Sequence, residues 1–122
     1  VIADYYKDIS KGLLKSAKDL LPKSNLIKII NVPGVFEIPV TISKNIRKYD
    51  GFLALGCVIK GQTPHFDFIS HATTDAIMKL SIDFKKPIGN GIITCLNMKQ
   101  AIIRMKKGRE AAQAVMSVLS QK

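Results

Sequence analysis

One histidine lies where an apolar run gives way to a helix-like segment. In the stretch "GCVIKGQTPHFDF" (56–68), the apolar run ends at Ile59 and His65 follows a short polar loop. Residues 61–63 would present free backbone N–H groups at a helix start, where the partial positive charge of the helix dipole favours a phosphate. The same helix end disfavours the imidazolium form, so we expect a neutral His65 that can accept a proton. These residue types predict a site for a small phosphorylated ligand beside a proton-transferring histidine.

The alternative for His65 is an ordinary exposed helix histidine without a chemical role. His71 is the comparison within the same predicted helix, since it lies about one and a half turns further on with no loop beside it. Asp67 also falls in the first turn, where a carboxylate commonly just complements the helix dipole. For Asp67 we therefore expect a structural rather than a catalytic role.

Aromatic side chains occupy two other loops that follow predicted strands. Tyr5 and Tyr6 lie in "ADYYKD" and Phe36 in "NVPGVFEIP". A flat aromatic ring can stack on a heterocyclic ligand, although each of these residues, taken alone, is better explained as a core residue.

A basic cluster occurs between the last two predicted helices. Arg104, Lys106 and Lys107 would ordinarily be a solvated helix end. Arginine, however, suits bidentate binding of a phosphate. Both interpretations stay open from the residues alone.

Strand-like and helix-like segments alternate along the whole chain, which is the pattern of parallel α/β proteins. The predicted elements are strands at residues 1–3, 26–32, 52–59 and 88–94 and helices at residues 8–21, 36–46, 64–84, 98–104 and 107–119. Thr63 is expected to cap the third helix, with Pro64 at its first position. Gly89 and Gly91 indicate close approach by another backbone or by a ligand.

This order predicts a flavodoxin-like α/β fold, a three-layer α/β/α sandwich around a four-stranded parallel sheet. Ligands of such sheets bind beyond the carboxyl ends of the strands. We therefore expect the three unusual loops to lie along one edge of the sheet.

Length and composition indicate one domain over residues 1–122, and we expect its first strand to lack its beginning, since the chain starts Val1-Ile2-Ala3. A net charge of +10 favours an anionic partner. Cys57 and Cys95 are predicted to be reduced core residues, and no metal-binding or nucleotide motif is evident. Without a long apolar run or a leader, we expect a cytoplasmic protein that does not contact membranes.

Four segments together resemble the lumazine synthase family, the penultimate enzymes of riboflavin biosynthesis. They are "VPGVFEIP" (32–39), "ALGCVIKGQTPHFDF" (54–68), "PIGNGIIT" (87–94) and "KGREAA" (107–112). The resemblance implies a cofactor-free condensation of 5-amino-6-ribitylamino-2,4-pyrimidinedione with 3,4-dihydroxy-2-butanone 4-phosphate. The products would be 6,7-dimethyl-8-ribityllumazine, phosphate and water.

The resemblance also implies roles for individual residues, carried over by position. His65 corresponds to the histidine that transfers protons. Substrate-binding positions correspond to Tyr5 (stacking on the pyrimidine), Val35, Phe36 and Glu37 (ribityl wall), Val58 and Ile59 (ring pocket), Gln62 and Thr63 (phosphate loop), Asn90 (pocket closure by a neighbouring subunit), and Arg104 and Lys107 (butanone phosphate, also from the adjacent subunit). The implied assembly is a homo-oligomer, a pentamer or an assembly of pentamers, with riboflavin synthase a candidate partner and no nucleic acid bound.

Three departures from the family pattern stand out. Many members have Ser-Arg-Phe-Asn where this chain has residues 3–6, Ala-Asp-Tyr-Tyr. Asn90 stands where an aromatic residue often closes the pocket. The connection between Arg104 and Lys107 is several residues shorter than in the family. Either the loop is truly deleted or a segment is missing between residues 105 and 106, and we expect the second.

Three other classes of protein were weighed against this interpretation. A non-catalytic flavin- or lumazine-binding relative would lose the histidine or the phosphate arginine, and His65 and Arg104 are both present. A flavodoxin- or receiver-like domain would carry an acidic pocket, whereas this chain is basic. A nucleic-acid binder would need stacking aromatics on a basic face, and most aromatics here fall in apolar patterns.

Overall fold

The computed structural model describes residues 1–121, in which helices and strands alternate as the sequence predicts. The strands are β1 (Ile2–Ala3), β2 (Asn31–Val32), β3 (Phe52–Ile59) and β4 (Ile88–Cys95). The α-helices are α1 (Lys7–Leu20), α2 (Ile38–Asn45), α3 (His65–Phe84), α4 (Met98–Ile103) and α5 (Lys107–Leu119), and a 3₁₀ turn (Val35–Glu37) precedes α2. Pro39 lies in the first turn of α2, as predicted.

The strands form one four-stranded sheet in the order β2-β1-β3-β4, and every pairing is parallel. β3 pairs with β4 along its whole length, from Phe52 opposite Ile88 to Ile59 opposite Cys95. Because parallel strands all run the same way, their carboxyl ends meet at one edge of the sheet. The predicted four-stranded parallel sheet is confirmed.

Side chains of β3 alternate between the two faces of the sheet, and each face carries its own apolar core. Leu55 and Cys57 belong to a cluster that includes residues of α1, α4 and α5. Phe52 and Ala54 belong to a second cluster that includes residues of α2 and α3. The sheet is therefore the middle layer of three, which confirms the predicted α/β/α sandwich.

The second strand is much shorter than predicted. Only Asn31 and Val32 of the expected strand 26–32 pair with a neighbour, and the side chain of Leu26 is 91% exposed. Two backbone hydrogen bonds join the two strands, from Ile2 N to Ile30 O and from Asp4 N, just after β1, to Val32 O. The predicted strand at residues 26–30 is wrong, because an apolar segment forms a strand only where a partner strand lies beside it.

Glycines allow α5 to pack directly on β4 and on α1. A Cβ atom at Gly89 would collide with the backbone carbonyl of Ala111, and one at Gly108 would collide with the backbone carbonyl of Leu13. Of the two alternatives for the β4 glycines, close approach by another backbone is therefore the one observed at Gly89. This contact fixes the distances between α1, α5 and the sheet.

We predict that Gly108→Ala destabilises the protein. Backbone atoms of α1 cannot move aside as a flexible side chain can, so the added methyl group should lower the free energy of unfolding by about 1–3 kcal/mol. Denaturant unfolding followed by circular dichroism measures the change. Gly61→Ala is the matched control, because nothing lies within 4 Å of a Cβ at Gly61. Equal midpoints for the two variants would contradict the packing assigned to Gly108.

Candidate active site

The three loops singled out in the sequence lie side by side at the carboxyl edge of the sheet. They follow β2, β1 and β3, which are neighbours in that order. Contacts beneath the loops confirm their proximity, since a Cβ on Gly56 of β3 would meet the side chains of Val35 and Ala3. The structure therefore places these three loops close to one another.

The loop after β1 carries the two tyrosines. Tyr5 is 74% exposed, whereas Tyr6 is half-buried against the core. The ring centroids lie 4.9 Å apart with the ring planes at 85°, an edge-to-face pair. Burial raises the pKa of the Tyr6 hydroxyl, with smaller effects from Tyr5 and Cys57. Tyr5 thus presents an exposed flat ring with a second, anchored ring beside it.

The 3₁₀ turn after β2 directs three consecutive side chains to different environments. Val35 is 6% exposed and belongs to the core, Phe36 is 60% exposed, and Glu37 is half-buried. The turn is closed by the bond from Glu37 N to Gly34 O at 3.2 Å. Glu37 Oε1 would lie 3.1 Å from a Cβ on Gly34, so the carboxylate folds back over the turn.

The loop after β3 leads into α3, whose first residue is His65 rather than the predicted Pro64. Pro64 is the N-cap, and its carbonyl accepts from Asp67 N at 3.0 Å. Thr63 makes no side-chain cap of the predicted kind, because its Oγ1 accepts only a long 3.4 Å bond from His65 N. Gln62, Thr63 and His65 are all exposed. Pro64 has φ −71° and ψ 5°, a ψ outside the α-helical range, so the regular helix begins one residue later than predicted.

Three backbone N–H groups of this loop have no hydrogen-bond acceptor in the described part of the chain. Within residues 1–121, the N–H groups of Gly61, Gln62 and Thr63 donate to no other residue. They stand at the positive end of a helix of 20 residues, where an anion is favoured. The first turn of α3 can therefore hold a phosphate beside the His65 imidazole.

Val58 and Ile59, both half-buried, end β3. Val58 packs with the α2 and α3 side of the sheet and Ile59 with the α1 and α5 side. Their side chains therefore lie on opposite faces of the sheet, and only the backbone of this strand end is common to both.

Arg104 and Lys107 lie at the same edge of the sheet, next to β4. Arg104 Nη1 donates to the carbonyl oxygen of Thr94 at 3.0 Å, and Thr94 pairs with Val58. Lys107 N donates to Arg104 O at 2.9 Å, and Lys107 Nζ forms an ion pair with Glu110 at 3.4 Å. A turn at residues 104–106, closed by this backbone bond, thus connects the two cationic residues. That a segment is missing between residues 105 and 106 stays a prediction.

Asn90 is not part of this edge within one chain. It lies in β4 opposite Ala54, four residues before Thr94. At the rise of a β-strand, this separation is about 13 Å. Asn90 is exposed on the edge strand β4, on the face of the sheet opposite to Gly89 and Gly91, and its Oδ1 accepts from Ile92 N at 3.1 Å.

Two residues that hold the β1 loop were not recognised in the sequence. Ser10 is buried, and its Oγ lies 2.6 Å from Ala3 O and 3.0 Å from Tyr6 O. Asn31 Nδ2 donates to Asp4 Oδ2 at 3.1 Å. A serine within the apolar stripe of a helix was the only available signal for Ser10. Asn31 offered none, because its partner is distant in the chain.

A cavity of about 510 Å³ lies away from this edge. Its walls include Val1, Gly51 and Phe52, at the amino ends of β1 and β3. The candidate site is by contrast an open surface, since Tyr5, Phe36 and His65 are all exposed. In a single chain, the residues expected to bind substrate do not form an enclosed pocket.

Cys57 and Cys95 are free and buried, as predicted. Burial raises the pKa of the Cys57 thiol to about 12, and the neighbouring Cys95 adds to this shift.

Within residues 1–121 no group of three potential metal-ligating side chains occurs. No helix in that part of the chain is long and apolar enough to span a bilayer.

The sequence profile of the family described as 6,7-dimethyl-8-ribityllumazine synthase matches residues 1–122. The chain belongs to this family. The 6,7-dimethyl-8-ribityllumazine synthase of Agrobacterium fabrum is 38% identical, over all of this chain and 91% of the relative. The enzyme of the same name from Bartonella henselae is 42% identical, over all of this chain and 85% of the relative. That from Limosilactobacillus reuteri is 38% identical, over 98% of this chain and 82% of the relative.

The sequence similarity to the lumazine synthase family extends over the whole chain and so includes the loops described above. The alignment with the Agrobacterium fabrum enzyme runs over 135 positions, although this chain has only 122 residues. The relative therefore has residues without a counterpart here.

We predict that Cys57 resists alkylation in the folded protein. Its thiol pKa rises from 9.0 to about 12, so at pH 8.5 its thiolate fraction should fall roughly a thousandfold relative to the unfolded chain. Iodoacetamide labelling followed by mass spectrometry measures the rate in buffer and in guanidinium chloride.

Ser117→Cys supplies the control for Cys57, because residue 117 is exposed on α5 and a thiol there should label quickly in the folded protein. Labelling of Cys57 within tenfold of its rate in guanidinium chloride would contradict the burial and pKa assigned to it.

Proposed function

We propose that this protein condenses 5-amino-6-ribitylamino-2,4-pyrimidinedione with 3,4-dihydroxy-2-butanone 4-phosphate to form 6,7-dimethyl-8-ribityllumazine. The single observation that carries this proposal is the geometry of the α3 start. There His65 opens the helix, directly after the loop in which the N–H groups of residues 61–63 are unpaired within residues 1–121. Proton transfer and phosphate binding, the two requirements of this reaction, thus coincide in a chain of the lumazine synthase family.

The pyrimidinedione would bind against the first two loops. The exposed ring of Tyr5 offers a stacking surface, and Phe36 and Glu37 form the adjacent wall for the ribityl chain. Val35 supports this wall from the core, and the strand end at Val58 and Ile59 borders the ring. Because the side chains of Val58 and Ile59 lie on opposite faces of the sheet, we assign the contact with the pyrimidine ring to the backbone of these two residues.

The butanone phosphate would bind at the helix start. The N–H groups of Gln62 and Thr63 would hold the phosphate oxygens, and the Arg104 guanidinium would pair with the phosphate charge. Lys107 adds a second cation close to Arg104. Together these donors stabilise the phosphate as it leaves with the bonding electrons.

The chemistry requires positioned proton transfers more than a strong nucleophile. An amine of the pyrimidinedione adds to the ketone and water leaves to give an imine, and phosphate is then eliminated. The resulting enol tautomerises to a ketone, and the second amine adds to this ketone and a second water leaves, which closes the ring. His65 would accept and return protons in these steps. Fixing two substrates at one edge of the sheet is itself a large contribution to the rate.

A second subunit would complete the site, in a homo-oligomer that we propose to be a pentamer or an assembly of pentamers. Large apolar side chains are exposed on α2 and α3, namely Val40, Phe68, Met78 and Ile82. An apolar surface of this kind marks a protein interface. Arg104 and Asn90 belong to β4 or follow it, and β4 is an edge strand from which they can reach a neighbour. We place this assembly in the cytoplasm, with riboflavin synthase a candidate partner.

We predict that His65→Ala slows turnover at least tenfold, toward the roughly 10²-fold typical of lost acid–base catalysis, with little change in either KM. Lumazine formation, followed by absorbance and fluorescence above the uncatalysed background, is the measurement. His71→Ala is the matched control, since His71 is exposed on the same helix but distant from the loop. Wild-type rates in His65→Ala would remove the proton-transfer role, and no wild-type activity would favour a binding protein.

We predict that His65→Ala and Arg104→Ala complement each other when co-assembled. Each variant alone should be slow, and Arg104→Ala should mainly raise KM for the butanone phosphate. Random mixing in a ring would create intact sites at about a quarter of the interfaces, because each site needs His65 from one subunit and Arg104 from the next. Activity should therefore recover to about a quarter of the wild-type rate.

The matched control for complementation is the double variant His65→Ala/Arg104→Ala mixed with wild type. In that mixture the same random assembly also leaves about a quarter of the interfaces intact. No recovery from the two single variants, with mixed oligomers verified by native mass spectrometry, would show that both residues act within one chain.

A further inference from the structure

The edge-to-face pair of Tyr5 and Tyr6 is an arrangement that the resemblance to the family does not explain. Many members have asparagine at the position of Tyr6, so they have no second ring there. In this chain the half-buried Tyr6 ring packs against the core on the α1 side of the sheet. Its centroid lies 4.9 Å from that of Tyr5, with the planes at 85°.

The backbone that carries the two rings is held from both sides. On one side, the buried Ser10 hydroxyl lies within hydrogen-bond distance of Ala3 O and of Tyr6 O. On the other, Asp4 accepts from Asn31 Nδ2 at 3.1 Å, and Asp4 N donates to Val32 O at 3.1 Å. The loop therefore has fixed ends, and the orientation of the exposed Tyr5 ring depends chiefly on what touches it.

We propose that Tyr6 is a positioning residue that holds the Tyr5 ring in the orientation needed to stack on the pyrimidinedione. The proposal rests on the proposed function, since it assigns Tyr6 a role through Tyr5. A solvent-exposed tyrosine without a neighbour would sample several rotamers, and ligand stacking would have to select one of them. An edge-to-face contact with an anchored ring favours one of these orientations before the ligand binds.

This arrangement makes a specific prediction for Tyr6→Leu. The variant keeps an apolar side chain against the core but removes the ring beside Tyr5. We expect KM for the pyrimidinedione and the dissociation constant of 6,7-dimethyl-8-ribityllumazine each to rise about three- to tenfold, the range of one aromatic pair. The KM for the butanone phosphate and kcat should change little. Tyr6→Phe, which keeps the ring, should restore both affinities.

The experiment measures steady-state kinetics for each substrate and lumazine binding by fluorescence titration. Tyr49→Leu is the matched control, because Tyr49 forms a similar pair with Phe52, with centroids 6.0 Å apart and planes at 85°. That pair lies at the amino end of β3, away from the site. A comparable loss of thermal stability in both leucine variants, with an affinity change only in Tyr6→Leu, would support the proposal. Tyr6→Met, which also lacks a ring, repeats the test if Tyr6→Leu fails to fold.

Two other results would overturn the proposal, and they are distinguishable from failure of the proposed function. Unchanged lumazine affinity in Tyr6→Leu, when Tyr5→Leu weakens it, would show that Tyr6 does not position Tyr5. Equal weakening in Tyr6→Leu and Tyr6→Phe would assign the effect to the Tyr6 hydroxyl rather than to the ring. The titration does not depend on turnover, so an inactive wild-type protein that still binds lumazine would refute only the proposed catalysis.

Discussion

The parallel pairing of β3 with β1 on one side and β4 on the other is the constraint on which the site depends. Because these strands run in the same direction, the loops after them and after β2 leave the sheet at one edge. That edge collects Tyr5, Phe36, His65 and Arg104, which are distant in sequence. The buried, nearly continuous apolar run of β3 secures this arrangement, since its side chains reach both cores.

The two faces of the sheet are packed differently. On the α1 and α5 face, glycines bring helix backbone directly onto the sheet and onto a neighbouring helix. On the α2 and α3 face, α3 buries only Thr73 and Ile77 of its 20 residues and leaves apolar side chains exposed. One face is thus complete within the chain, whereas the other presents the surface expected of a subunit interface.

The residues of the candidate site also fall into two groups. Tyr5, Phe36 and His65 all lie at an open surface of one chain. The cations of residues 104–107 lie beside the edge strand, and Asn90 lies about 13 Å back along it. An enzyme that must hold two substrates in contact needs an enclosed site, so an open edge in the monomer accords with a site shared between subunits.

The sequence by itself determined the order of the elements, the layered parallel architecture and the loops that carry the candidate chemistry. These features follow from local periodicity, from breakers such as Pro33-Gly34, and from motifs contiguous in the chain. Only the tertiary structure decided that β2 is two residues long, that helix α3 begins after Pro64, and that Gly89 accommodates a backbone rather than a ligand. It also placed Ser10 and Asn31 against the β1 loop and set the angle between the tyrosine rings. Each of these depends on which group lies alongside. The partners of β2, Gly89 and Asn31 are remote in the sequence, and those of Ser10 are brought near only by the turn from β1 into α1.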